Sequence, residues 1–284
     1  MAEAIGPQSK GQLYICATPI GNLEDITLRV LRILREVDLI AAEDTRHTLK
    51  LLNHYGIKTP MTSYHEHNEA AKCVRLTEKL LSGANIALVS DSGMPGISDP
   101  GRELIRRCHQ LQIPIQICPG ASAGISALVL SGLCARRYTF EGFLPREKRK
   151  RREVLVNLAA EQRTIVLYEA PHRLLIAMQE LQEHFGDRKI AAVREITKKF
   201  EEVRQGSLAE MIEHYGENPP KGEFVLIVEG AEPAAKNWPE DIMLHVEHYV
   251  EMGLSEMESM KRAAKDRGVA KSKIYKAYKT GDAE

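Results

Sequence analysis

The chain has 284 residues, with 39 basic and 39 acidic side chains, so no net charge draws it as a whole to nucleic acid or to an anionic surface. Its 43% apolar content is enough to bury the cores of roughly two domains, and no run approaches the roughly 18 apolar residues of a membrane span. Five cysteines (Cys16, Cys73, Cys108, Cys118 and Cys134), odd in number and without a C-x-x-C, support neither a disulfide framework nor a zinc site and point to a reduced, cytoplasmic protein.

The first twelve residues are polar and small, and residues 1–11 read as a loose tail. Leu13–Ala17 is a buried strand running into Thr18-Pro19-Ile20-Gly21-Asn22. Asp25 or Thr27 caps the next helix, whose apolar positions are Val30, Leu31, Ile33 and Leu34. Asp38–Ala42 is a second strand, ending in Glu43-Asp44-Thr45-Arg46-His47. The helix Thr48–Tyr55 stops at Gly56. Met61–Tyr64 is short and extended, and Asn68 is placed as the N-cap of Glu69–Leu81. Ile86–Val89 is an apolar strand that breaks at once into Ser90-Asp91-Ser92-Gly93-Met94-Pro95-Gly96. After Gly101, Leu104, Ile105, Cys108 and Leu111 recur at helical spacing. Ile113–Cys118 is a further strand. Strands alternating with helices predict a mainly parallel sheet over residues 12–118.

Pro119–Ala123 turns the chain into a small-residue helix, Gly124–Leu133, and a second α/β unit is expected over residues 119–230. Its strands are Tyr138–Leu144, Thr164–Tyr168, Lys189–Val193 and Phe224–Val228. Its helices carry Val154, Leu155 and Leu158, then Leu174–Phe185, then Ser207–Tyr215 on a serine cap. Ala231–Asn237 is an Ala/Pro linker. Residues 238–284 read as three short helices joined by glycine turns, with Ser255 as a cap, resembling a helix-turn-helix unit.

Six strand ends carry polar loops: Thr18–Asn22, Glu43–His47, Ser90–Asp99, Glu169–Arg173, Arg194–Lys198 and Lys221–Glu223. In α/β proteins ligands bind beyond the carboxyl ends of the strands, so these loops predict a cleft between the two halves. The Ser90–Gly96 loop lacks a Gly-Lys-Ser/Thr ending, and its acid suits a cationic or hydroxylated ligand better than a phosphate. His65 and His67 share one side of an extended segment near His47, but no third ligand stands at a convincing spacing, and no metal is expected. The run Arg146–Arg152 is either a solvated face or an RNA contact. The same choice applies to the last helices, where Lys261, Arg262, Lys265, Arg267, Lys271, Lys273, Lys276 and Lys279 interleave with Tyr275 and Tyr278.

In their order, these loops resemble one family. Thr18–Leu23, Ala42–Arg46, Val89–Pro95, Pro119–Ala123, Glu141–Pro145, Tyr168–Arg173, Arg194–Lys198 and Lys221–Gly230 are similar to the tetrapyrrole methylase superfamily of S-adenosylmethionine enzymes. The likeness covers roughly residues 11–230. Within the superfamily it is to the branch acting on small-subunit ribosomal RNA. Ser92-Gly93-Met94-Pro95 stands where the family often has Ala-Gly-Thr-Pro, and the acid and the glycine are retained. The resemblance implies two α/β domains with S-adenosylmethionine in the cleft between them, a homodimer, and 16S rRNA in the small ribosomal subunit as substrate. The implied reaction is 2′-O-methylation of the cytidine at rRNA position 1402. Carried over, Pro19, Gly21, Asp91, Ser92, Gly93, Met94, Ser122, Ala123 and Tyr168 line the cofactor, while the Pro19–Asn22 and Asp44–Arg46 loops face the methyl acceptor. Glu223, Lys221, Lys198 and Glu195 are the candidates for the acid-base role, since a ribose hydroxyl is a weak nucleophile. Arg46, His65, Arg149, Arg151, Arg173 and Arg194 are the candidates for holding RNA. Two rivals remain at this point: a methyltransferase of the same fold acting on a small tetrapyrrole, and a non-catalytic RNA-binding protein of the ribosome.

Overall fold

The computed structural model describes residues 10–232 and 238–280. Most of the expected tail (1–9), linker residues 233–237 and the last four residues lie outside the described residues. The described residues up to Ala231 form one compact unit and those from Glu232 a second.

The first half alternates strictly: β1 (Leu13–Cys16), α1 (Leu28–Glu36), β2 (Leu39–Ala42), α2 (Thr45–His54), β3 (Met61–Ser63), α3 (Glu69–Leu81), β4 (Ile86–Val89), α4 (Arg102–Gln110) and β5 (Ile115–Cys118). The five strands make a parallel sheet in the order β3-β2-β4-β1-β5. Being covered on both faces, the inner strands are apolar throughout rather than alternating; all four residues of β4 are buried. One face packs Val30, Ile33 and Leu34 of α1 and Leu52 of α2. The other packs Leu76 and Leu80 of α3 and Leu104 and Cys108 of α4. Of the two expected caps, Thr27 is the one used, its hydroxyl accepting from the Val30 amide at 3.2 Å. Asp44 caps α2, which therefore begins three residues earlier than expected, at Thr45. Asn68 occupies the expected cap position, but its side chain makes no cap bond to α3 and accepts from the His65 amide instead.

α5 (Ala123–Leu130) leads into the second half: β6 (Tyr138–Phe143), α6 (Lys148–Leu158), β7 (Thr164–Glu169), α7 (Pro171–Phe185), β8 (Lys189–Arg194), β9 (Glu202–Ser207), α8 (Leu208–Glu217) and β10 (Phe224–Val228). The sheet order is β6-β7-β10-β8-β9. Only β6 and β7 run parallel; the other pairs are antiparallel. The period of two decides which residues meet the cleft. Val166, Val193 and Val225 pack with Ala127 and Leu128 of α5 on one face, while Leu167, Ala192, Phe224 and Leu226 pack under α6, α7 and α8 on the other. Ile20, from the loop after β1, is buried in the α5-side cluster. That side chain thereby fixes one sheet against the other.

The second unit holds α9 (Ile242–Glu251), α10 (Glu256–Arg267) and α11 (Lys271–Thr280) around Val246, Met260, Ala263, Ala264 and Ile274. Ser255 and Glu258 form a reciprocal capping box at α10. Arg267 donates to His245 Nδ1 at 2.9 Å and to the carbonyls of Pro239, Glu240 and Asp241, tying the entry of α9 to the end of α10. Among the described residues no helix is long and apolar enough to cross a membrane.

Candidate active site

Two strand-end loops of the first sheet are tied together backbone to backbone. The Thr18 amide donates to the Gly93 carbonyl at 2.9 Å and the Gly93 amide to the Thr18 carbonyl at 3.1 Å. The bridge requires Gly93 at φ +76°, a region that side-chain-bearing residues rarely adopt. Beside the bridge Asp91 Oδ1 accepts from the Asp44 amide at 3.0 Å, and the Asp91 amide donates to Glu43 Oε2 at 3.3 Å. This interlock holds three loops at the carboxyl edge of the sheet.

Above them lies a cavity of about 530 Å³. The first half contributes Ile20, Glu43, Asp91–Met94 and Ile97–Asp99, and the start of α5 contributes Ser122 and Ala123. The second half contributes Phe143, Tyr168–Pro171, Val193, Ile196, Lys198 and Glu223–Val225. One part of the wall is apolar and aromatic: Tyr168 meets Phe140 and Phe143 edge to face, at centroid distances of 5.2 and 5.5 Å. The Tyr168 hydroxyl accepts from the Gly124 amide at 3.1 Å. The other part is acidic. Burial, reinforced by the neighbouring Asp91 charge, pushes the carboxyls of Glu43 and Asp99 above their ordinary range. A cation entering beside them would relieve that repulsion.

At the cavity's rim Lys198 Nζ stands 3.0 Å from Glu195 Oε1 and 2.8 Å from Glu223 Oε2. Glu195 Oε1 also accepts from the Glu223 amide at 2.9 Å, while the Glu195 amide donates to the Glu223 carbonyl. Glu195 and Thr197 both take left-handed backbone angles, φ +48° and +64°. Such strain persists where surrounding contacts over-determine it, here the double lock between residues 195 and 223. Burial would lower the Lys198 ammonium, but its hydrogen bonds to Glu223 and Glu195 outweigh that and raise it. Lys198 is thereby held as a cation between two carboxylates. Its aliphatic stem lies against Gly21, where an added Cβ would stand 2.4 Å from Lys198 Cγ.

Of the expected cofactor residues, Asp91, Ser92, Gly93, Met94, Ser122, Ala123 and Tyr168 line the cavity; Pro19 and Gly21 do not, and Ile20 between them does. Of the four acid-base candidates, Glu223 and Lys198 line it. Glu195 stands behind Lys198, and Lys221 lines a separate pocket beside Arg194, Tyr215 and Pro219.

The expected RNA ligands divide sharply. Arg46 and Arg149 are largely exposed, paired with Asp44 and Glu153 on the surface. Arg151 instead forks onto Glu180 and donates to the carbonyls of Pro145 and Arg146, which pins α6 to α7. Arg173 donates to the Leu144 carbonyl and lies 3.6 Å from the buried Glu169. Arg194 sits on the α8 side of its sheet, donating to the Lys221 carbonyl and pairing with Glu202. His65 is half-buried, with Nε2 3.0 Å from Asn68 Nδ2. Among the described residues no group of three or more His, Cys, Asp or Glu is placed to hold a metal ion.

Glu43, Asp99, Phe143, Val193, Ile196 and Val225 also line the cavity; all but Val193 fall within the loops quoted from the sequence, yet none is among the expected cofactor residues. Glu43 is the first residue past β2, and Val193 and Val225 share the face of Tyr168, so strand ends and alternation were the signals available.

A family profile described as Tetrapyrrole (Corrin/Porphyrin) Methylases matches residues 12–212. A Ribosomal RNA small subunit methyltransferase I of Halalkalibacterium halodurans is 47% identical over 274 residues, covering 95% of each chain. Another of that name, from Thermotoga maritima, is 46% identical over 222 residues, which are 78% of this chain and 100% of its own. Among solved structures, the methyltransferase CobJ superposes with a TM-score of 0.60 at 17% identity, covering 78% of this chain and 95% of that one; this likeness concerns the fold alone. The profile match and the relatives' identity over nearly the whole chain agree, and the chain belongs to the tetrapyrrole methylase superfamily and, within it, to the ribosomal RNA small subunit methyltransferase I family.

Proposed function

We propose that the protein transfers the sulfonium methyl of S-adenosylmethionine to the ribose 2′-hydroxyl of a cytidine in 16S rRNA of the small ribosomal subunit, the cytidine at position 1402. The observation that carries the reading is the two-sided cavity wall. Its apolar side, with Tyr168, Val193 and Val225, suits a purine, and its acidic side, with Asp91, Asp99 and Glu43, suits the sulfonium and ammonium charges. The cofactor supplies an already activated methyl group. What remains for the chain is to hold the acceptor oxygen in line with it and to remove a proton. Of the four acid-base candidates, Glu223 is the proton acceptor, Lys198 orients it, and Glu195 anchors Lys198; Lys221 stands outside the cavity. Arg46 and Arg149, exposed and on the surface, are the arginines available for RNA phosphates.

The chain is proposed to act as a homodimer in the cytoplasm. Ile125, Val129 and Leu130 of α5, with Phe140 of β6, expose apolar surface on neighbouring elements. A second copy would cover it, and sedimentation would then report twice 31.8 kDa.

The test uses methyl-labelled S-adenosylmethionine with small subunits from cells lacking the modification. Nuclease digestion and mass spectrometry then locate the label, which is expected on one cytidine ribose. Cofactor binding without label on RNA would shift the acceptor to a small molecule. A pH dependence is also expected. Glu43 and Asp99 titrate above the usual carboxylate range, and a cation binds their ionised forms. Cofactor affinity measured by calorimetry should therefore fall as pH drops through those raised values and be flat above them. Affinity that holds steady to below pH 4 would remove the acidic wall from the binding account.

A further inference from the structure

A second cavity, of about 380 Å³, adjoins the catalytic one, and Phe224 lines both. Its other walls include Arg194, Glu202, Tyr215 and the turn from Asn218 to Lys221. The two sites also meet along the chain. Arg194 directly precedes Glu195 of the rim, and Lys221 stands two residues before Glu223, a span of at most about 7 Å.

Two features of the second cavity are unmatched within the protein. Tyr215 is 5% exposed, yet its hydroxyl has no hydrogen-bond partner among the described residues, whereas buried hydroxyls are normally paired. Burial, reinforced by the Glu202 charge, raises this phenol above its ordinary value, so it stays a neutral donor. Charge is unbalanced as well. Arg194 and Arg204 share the single carboxylate of Glu202, at 3.3 and 3.4 Å, and the exposed Lys221 adds a further cation. Arg204 Nε is itself buried without a partner. The remaining wall is flat and stiff. The Tyr215 ring meets Phe224 edge to face at 5.6 Å, and Pro219 and Pro220 have fixed φ and no N–H to satisfy.

We propose that this cavity takes the nucleotide next to the target cytidine, its base against the Tyr215 and Pro219-Pro220 walls and its phosphate on Lys221. The inference rests on the rRNA reading above and deepens it, because it names a second subsite for the same strand. A flat ring wall with donors and excess positive charge matches a base carrying a phosphate. An apolar peptide would leave the cations unanswered, and a bare phosphate would leave the ring wall empty. Adjacency sets the register: one nucleotide bridges the short step from Glu223 to Lys221. Arg194, already held by the Lys221 carbonyl and Glu202, shapes the wall.

The test compares the full-length wild type with Tyr215→Phe and Lys221→Ala. Tyr215→Phe deletes only the unpartnered hydroxyl, so its melting temperature should equal or exceed that of the wild type. Its KM for small subunits should nevertheless rise about five-fold, the scale of one lost hydrogen bond. A tyrosine with a merely structural role would move neither in that direction. Lys221→Ala, at an exposed position, should raise KM similarly. It should also take about 0.7 from the slope of log K against log salt on single-stranded RNA spanning the target cytidine, for one lost phosphate contact. In both variants kcat at saturation and affinity for S-adenosylhomocysteine should stay within two-fold. Free 5′-mononucleotides share this chemistry and are titrated alongside. If one binds the wild type but not Tyr215→Phe, while KM for subunits is the same in both, the cavity is a site for a free nucleotide and the RNA assignment is overturned. Unchanged KM in both variants overturns it too. So does raised KM with unaltered affinity for naked RNA, which marks a ribosomal protein as the occupant. A wild type that binds RNA without methylating it refutes the proposed reaction, and the same comparison is then read from dissociation constants.

Discussion

Replacing Glu223 with Gln is expected to cut kcat by about 10²–10⁴-fold, the range for removing a positioned proton acceptor, while cofactor affinity stays within about three-fold. The substitution keeps the side chain's size and one hydrogen-bond acceptor for Lys198, so the rim is not dismantled. What is lost is the group proposed to take the ribose proton as the oxygen–carbon bond forms and the carbon–sulfur bond breaks. Glu223 is suited to this because it is 81% exposed at the cavity rim, open to an incoming ribose, yet fixed from one side by Lys198 at 2.8 Å. Glu195, with 18% of its side chain exposed, is too enclosed for that task and serves as the counter-anchor. Lys198→Met should also lower kcat, by about ten-fold, through loss of orientation. Lys198→Arg, which keeps the charge, should recover part of it. Single-turnover rates on small subunits separate these effects from product release. A Glu223→Gln enzyme within three-fold of wild type would sink the assignment.

The residues of this rim show where sequence reading stops. Lys198 and Glu195 are three apart in one loop, and both are legible there. Their partner Glu223 comes from another loop, and nothing in the sequence says that the two meet. That meeting is made by β8 and β10, paired antiparallel with Arg194 opposite Phe224, and pairing between strands leaves no local signature. The intramolecular partners of Arg151, Arg173 and Arg194 are invisible in the sequence for a related reason. An arginine in a basic run or after a strand looks free until its carboxylate or carbonyl partner arrives from a distant element, as Glu180, Leu144 and Lys221 do here. By contrast the inner strands of the first sheet, β2 and β4 above all, are legible because strands buried on both faces are apolar without interruption. β9 is not. Its residues Glu202–Ser207 include one large apolar side chain, Val203, on an edge strand, and their weak alternation of burial resembles a polar loop. The helix caps divide likewise: Ser207 and Ser255 were identified from the local sequence, whereas Asn68 was diverted to the His65 amide by a turn that spacing does not reveal.

Gly93→Val is expected to weaken cofactor binding by about 100-fold or more while leaving the protein folded. Two costs combine. The left-handed backbone at φ +76° is an outlier for a β-branched residue, worth on the order of 1–3 kcal/mol. The Cβ itself would stand 3.4 Å from Ile20 Cγ2 and 3.7 Å from the Ala121 carbonyl oxygen, which is ordinary contact, so the clash comes from the two γ-methyls beyond it. They must enter the cavity or displace Ile20, which holds the two sheets together. If the backbone relaxes instead, the paired hydrogen bonds to Thr18 break and the loop leaves the cavity wall. Either route removes the proposed cofactor seat. Gly93→Ala carries the backbone cost without the γ-methyls and should weaken binding only about five- to ten-fold. Gly56→Val isolates the strain alone: its φ is +64°, nothing lies within 4 Å of its added Cβ, and it sits after α2 rather than at the cavity. It should lower the melting temperature and leave affinity unchanged. Calorimetric titration of all three with S-adenosylhomocysteine, alongside thermal melts, separates the contributions. If Gly93→Val and Gly56→Val lose stability alike and both bind as wild type, the Thr18–Gly93 bridge is a structural turn and the cofactor's seat lies elsewhere in the cavity.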